Sequence, residues 1–144
     1  MNQKYYLTIL VVSVVVFSTG CKHTVVEETY PDGAKKRVCV YRGRGDHKEI
    51  LSETTYYENG QILMTGAYRN EKRHGRWLSY YQNGTIWSEG HFLNGLKDGK
   101  SVTWFENGKI RYEGFFRQDI RTGTWRFYDE TGKILQEVDY TQGK

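Results

Sequence analysis

Glycine recurs at Gly60, Gly84, Gly108 and Gly132, at a constant interval of 24 residues. The same interval links Ile62, Ile86, Ile110 and Ile134, then Gly66, Gly90 and Gly114, then Tyr68, Phe92, Phe116 and Tyr140, and finally Gly75, Gly99 and Gly123. Several columns kept in one register mark an array of a single supersecondary unit, which cannot shelter its own apolar side chains and depends on its neighbours. An earlier unit, "YPDGAKKRVCVYR", is out of step: Gly33 precedes Gly60 by 27 residues, which places a three-residue insertion most simply in the polar stretch "RGRGDHK" at 42–48. At the other end Val138 stands where the column has glycine and Asp129 where it has an aromatic, as terminal repeats often depart from their pattern.

Each unit reads as two short strands. "YENGQ", "YQNGT" and "FENGK" put Asn-Gly between alternating, aromatic-rich segments, and "YPDGA" adds proline ahead of the turn glycine; both are hairpin signals. The second connection in each unit, "YRNEKRHG", "FLNGLKDG" and "FRQDIRTG", is predicted to be a longer polar loop ending on a left-handed glycine. No segment after Cys21 has helical periodicity, so the expected fold is all-β, an elongated antiparallel meander of about ten strands. A three-residue turn with glycine opening a bulge pairs Tyr81 with Thr85 and Tyr80 with Ile86. Counting alternation from there puts the isoleucine, glycine and Tyr68/Phe92 columns on one regular face with Tyr56, Tyr80, Trp104 and Tyr128. The opposite, irregular face then carries Trp77, Tyr81, Trp87, Phe105 and Trp125, together with Ser101, Glu89, His91 and Asp129. Mid-strand glycine weakens a strand, so its repetition implies a neighbouring ring lying over it.

The segment before the repeats is of another kind. "MNQKYYLTILVVSVVVFSTGCK" opens with a basic residue, continues with an apolar run from Tyr5 to Phe17, and ends in small residues before Cys21. This is the layout of a secretory signal, and the run is shorter than the roughly 20 residues needed to span a bilayer. Ser18, Thr19 and Gly20 before Cys21 resemble a bacterial lipobox, which makes Cys21 the expected site of lipidation. The expected organisation is a lipoprotein signal peptide at 1–20, a lipidated N-terminus and divergent first repeat at 21–51, and the hairpin repeats at 52–144. With Cys21 lipidated only Cys39 remains, so the mature chain forms no internal disulfide. Cys39 is read as a small strand side chain, sharing a face with Arg37 and Tyr41 and not with Val38 and Val40; a reactive thiol is the lesser alternative.

The consecutive stretches "YYENGQILMTGAYRNEKRHGRW", "YYQNGTIWSEGHFLNGLKDGK" and "WFENGKIRYEGFFRQDIRTGTW" resemble the variant MORN repeats of bacterial YwqK-family antitoxin-like proteins. The resemblance covers about residues 52–140. It implies a single-layer, twisted sheet of hairpins used as a surface for proteins or membranes, with no catalytic residues and no cofactor. A lipobox would place such a protein in the cell envelope, which suits immunity against an exported toxin better than neutralisation of a cytosolic one.

Neither an enzyme constellation nor a metal site is expected. Glu89 and His91 lie two residues apart, too few ligands on a solvated face. Glu89, Glu113 and Glu137 recur at the repeat interval, so they line up across the sheet instead of facing each other as an acid and a base. "RGD" at Arg44–Asp46 is too short to carry an adhesion reading. The meander sends all second connections to one edge and makes that edge basic, with Lys72, Arg73, Lys97 and Arg121 as candidates for an acidic partner or anionic headgroups. The rings Trp77, Tyr81, Trp87, Phe105 and Trp125 are the candidate partner-binding surface, exposed if the sheet is single-layered unless they pack on one another. The expectation is a non-enzymatic, membrane-anchored envelope lipoprotein that binds a protein, with a toxin as the named candidate, or another envelope component. Nucleic acid is not expected, since secretion removes the chain from it. The competing expectation is a glycan-binding envelope protein that stacks sugars on Trp77, Trp87 and Trp125.

Overall fold

The structure, a computed structural model, describes residues 20–141. Ten strands follow one another: β1 Lys22–Thr29, β2 Lys35–Arg42, β3 Glu49–Tyr56, β4 Ile62–Arg69, β5 Lys72–Tyr80, β6 Ile86–Leu93, β7 Leu96–Trp104, β8 Ile110–Arg117, β9 Ile120–Tyr128 and β10 Ile134–Asp139. They form one antiparallel sheet in sequence order, the expected meander. The expected signal segment lies outside the described residues; Cys21 is exposed just ahead of β1. Among the described residues no helix is long and apolar enough to cross a membrane.

The tight turns form as the sequence requires. Tyr81 N–H donates to the Thr85 carbonyl at 2.8 Å and Gly84 N–H to the Tyr81 carbonyl at 2.9 Å, with Gly84 at φ +86° where a side chain would be strained. Asn83 Oδ1 accepts the Thr85 amide at 2.9 Å, the local bond that makes asparagine a turn former. The turns are also stitched to one another. Tyr30, Tyr57 and Tyr81 donate their hydroxyls to the carbonyls of Tyr56, Tyr80 and Trp104 in the next unit, at 2.7, 2.8 and 2.8 Å. The Asn59 and Asn107 side-chain amides reach Gln82 and Glu130 carbonyls the same way, and Asn83 reaches the Glu106 carboxylate. Tyr30 spans 26 residues where Tyr57 and Tyr81 span 23, and the extra length is the stretch around the short 3-10 turn Gly45–His47 between β2 and β3.

The second connections differ from expectation. Arg69 pairs with Lys72, Leu93 with Leu96 and Arg117 with Ile120, so each connection is a two-residue turn. Asn70–Glu71, Asn94–Gly95 and Gln118–Asp119 all have positive φ, the requirement of a tight hairpin turn whose twist matches its strands. Gly75, Gly99 and Gly123 are therefore inside β5, β7 and β9, at positive φ, where the ladder slips register.

A second correction concerns the faces. Tyr80 does pair with Ile86, but the next pair is Ser79 with Ser88, so Trp87 is a bulge residue and parity inverts beyond it. Gly66 consequently pairs with Trp77, Trp77 with Gly90, Gly90 with Ser101, and Ser101 with Gly114. The glycine column shares one face with Trp77 and Trp125. The same row runs back through Glu53, Cys39 and Val25. Among the described residues few side chains are enclosed: Cys39, Trp77, Val102 and Trp125 are the buried apolar ones, and Glu53 and Thr103 the buried polar ones.

Candidate functional site

Two tryptophans on the ring face sit in matching slots. Trp77 lies flat over Gly66, where a Cβ would come closer than 3.0 Å to the indole carbons, and Trp125 lies over Gly114 in the same way. Tyr68 meets Trp77 edge-on at 5.3 Å and Phe116 meets Trp125 at 5.0 Å; Phe92 and Tyr140 close the far sides at 6.2 and 6.3 Å. Each indole Nε1–H donates to the carbonyl following its glycine, Ala67 at 3.0 Å and Phe115 at 3.2 Å. A guanidinium caps each ring, Arg73 at 4.2 Å and Arg121 at 4.6 Å from the centroid. Trp77 is 4% and Trp125 1% exposed. This corrects the expectation that a single-layer sheet leaves both rings free for a partner: glycine supplies room for each indole to lie down on the backbone.

The middle repeat has the slot and lacks the ring. Ser101 stands 24 residues from both Trp77 and Trp125, and opposite Gly90. A Cβ at Gly90 would meet only Phe92, at 3.6 Å. Over this position opens a cleft of about 230 Å³, lined by Trp77, Trp87, Gly90, Phe92, Lys97 and Ser101 among others. Arg73 lines it too. Lys97, the counterpart of Arg73 and Arg121, holds its ammonium 4.9 Å from the Phe116 ring.

Trp87, 43% exposed, remains an open ring at the rim, 6.5 Å from Tyr81. Tyr81 itself is a stitch, its hydroxyl donated to Trp104. Phe105 is half-buried, under Arg111 at 5.6 Å, in a separate hollow with Phe127 and Leu135. The expected aromatic surface is thus divided: Trp77 and Trp87 meet at the cleft, and Trp125 and Phe105 lie elsewhere. Of the basic edge, Arg73, Lys97 and Arg121 serve as ring caps, while Lys72 is exposed beside Gly95.

The opposite face is a ladder of charges. Arg76 pairs with Glu89 at 2.6 Å, Lys100 with Glu113 at 3.1 Å and Arg126 with Glu137 at 2.7 Å. The Arg76 hydrogen bond holds the Glu89 carboxyl below the usual carboxylate range. Burial pushes Glu113 upward, but bonds from Lys100 and Tyr128 outweigh it and leave Glu113 lowered as well. His91 Nδ1 lies 3.2 Å from the Lys100 carbonyl, so Glu89 and His91 have separate partners. Near the N-terminus Arg37 Nη2 meets the buried Glu53 carboxylate at 2.7 Å, and burial pushes the neighbouring Cys39 thiol up, the state of an inert strand residue.

The pattern of one family, MORN repeat variant, matches residues 52–70, 73–94, 97–118 and 121–142. The chain belongs to the MORN repeat variant family. The four matched MORN units begin in β3, β5, β7 and β9, so each comprises one tight-turn hairpin. The divergent hairpin β1–β2 precedes the matched MORN stretches. No curated protein matches the sequence.

Sequence reasoning expected a ring over the repeated mid-strand glycines, as Trp77 over Gly66 and Trp125 over Gly114 show, but it put these tryptophans on the other face and missed the unfilled third position. The available signal was the Trp77, Ser101, Trp125 column itself, the one place where a glycine keeps its position and its ring is absent.

Proposed function

We propose that the protein is a non-enzymatic binding module of the bacterial cell envelope, held to a membrane by lipid on Cys21 and engaging a protein through its ring face. One observation carries the reading. A sheet face that seals two tryptophans against its own glycines leaves a third position open, with Trp87 exposed at its rim and Arg73 and Lys97 beside it. An open ring-and-cation cleft beside two sealed indoles is what protein partners use as an anchoring point. The carboxylates Glu89, Glu113 and Glu137 are engaged in ion pairs, which favours a scaffold over an acid–base role.

The finer version of this proposal is an antitoxin or immunity protein whose partner is a toxin met in the envelope. The glycan alternative is the weaker reading, because sugar stacking needs open rings and Trp87 alone of Trp77, Trp87 and Trp125 is open. The test is affinity capture with the full chain from its own envelope fraction, beside Trp87→Ala and Lys97→Ala. Specific capture weakened by both variants supports the reading; capture unaffected by either refutes the site. Fractionation of Cys21→Ser tests the anchor, since unchanged membrane association would rule out lipid as its cause.

A further inference from the structure

We propose that the open position over Gly90 is a receptor for an indole, supplied by a tryptophan side chain of the protein partner. The proposal deepens the binding-module reading and rests on it for the partner. The chain itself supplies the template. In the two filled slots an indole has a glycine floor, a ring edge on each side, a cation above and a carbonyl for its N–H. Gly90, Phe92 and Lys97 line the open slot as floor, edge and cap, and the repeat interval makes Phe116, under the Lys97 ammonium, the counterpart of the second edge and the His91 carbonyl the counterpart of the acceptor. Ser101 is the small residue that keeps the place free.

The chemistry selects among ligands. An aliphatic side chain would gain burial but neither the cation–π contact with Lys97 nor the bond to His91. A ring carrying an N–H gains both, and the flat floor over Gly90 admits it face-down. Trp87 at the rim adds apolar surface for the residues flanking the incoming tryptophan.

The probe is N-acetyl-tryptophanamide, titrated into the labelled full chain and read by amide NMR, with N-acetyl-leucinamide as comparison. The expected result is saturable shifts at Gly90, Ser101 and Phe92, with the tryptophan probe at least about tenfold tighter, the scale of one added hydrogen bond plus a cation–π contact. Ser101→Trp should fill the slot with the chain's own indole, abolish the shifts and raise the melting temperature. Gly90→Val should lift the floor and abolish them too, which keeps the test decisive if Ser101→Trp folds poorly. Shifts confined to Trp87 or unchanged in Gly90→Val would overturn the receptor, as would equal affinity for the leucine probe. Capture of an envelope partner equally by wild type and Gly90→Val would leave the binding module standing and refute the slot. Probe binding without any partner captured would do the reverse. Self-association lost in Trp87→Ala would overturn the partner assignment in favour of a second copy of this chain.

Discussion

Alanine at Gly66 and alanine at Gly90 are the same chemical change at the same place in successive repeats, yet they should have opposite effects. The backbone at both glycines lies outside the left-handed region, so alanine is not strained there. At Gly66 the new methyl would sit closer than 3.0 Å to Cγ, Cδ2 and Cε2 of Trp77, and the sheet beneath cannot recede. The indole must lift out. An indole buries about 150–250 Å², so at about 25 cal/mol/Å² full expulsion forfeits about 4–6 kcal/mol. Partial repacking on the sheet limits the loss to about 3 kcal/mol, the scale of overpacking a core. At Gly90 the methyl meets only Phe92, at an ordinary 3.6 Å. There alanine should be neutral or gain about 0.5 kcal/mol by restricting the unfolded chain. Equilibrium urea unfolding reads both, and by melting temperature Gly66→Ala should fall by about 10 °C while Gly90→Ala holds or rises slightly. Gly114→Ala should follow Gly66→Ala. In the double variant Gly66→Ala/Trp77→Ala the second change should cost far less than Trp77→Ala alone, since the clash has already displaced the ring. Equal losses at all three glycines, or a neutral Gly66→Ala, would refute the argument.

Acid should loosen the ladder face: Glu89 and Glu113 are lowered in the folded chain, so their contribution is present above the ordinary value of 4.5 and is lost as pH falls through their folded values. Thermal melts between neutral and acid pH should show this drop, and Glu89→Gln should flatten it. Tyr81→Phe removes the hydroxyl donated to Trp104 and should cost about 0.5–1.5 kcal/mol in urea unfolding. Cys39 in a Cys21→Ser chain should resist alkylation until denaturant is added, because its thiol is buried and burial holds it protonated; rapid native-state labelling would contradict this.

The meander was legible because turns are local: Asn-Gly at a fixed interval needs only its own neighbours to form. The faces were not, because parity is a sum along the strand. One bulge residue at Trp87 shifts every later side chain of β6 to the other side, and nothing in "TIWSEG" announces it. The two-residue turns were hidden for a related reason. Only Asn94–Gly95 carries the expected residues, while Asn70–Glu71 and Gln118–Asp119 adopt left-handed backbone without glycine at either position. The slots combine both problems, since a ring and its glycine come from different strands. Once they are paired, the absence at Ser101 can be read from the sequence alone.

The turn stitches have a consequence for how long such a protein can be. Tyr57, Asn59, Tyr81, Asn83 and Asn107 each reach 23 residues ahead, always in the same direction. A gain or loss of one whole unit leaves every donor facing an acceptor, and the extra residues between β2 and β3 leave the Tyr30–Tyr56 stitch intact because they lie in the connection on the other edge. In the turn between β9 and β10, by contrast, Asp129 folds its carboxylate back onto the Thr131 and Lys133 amides of its own loop. Duplication can therefore lengthen the array from within without new chemistry.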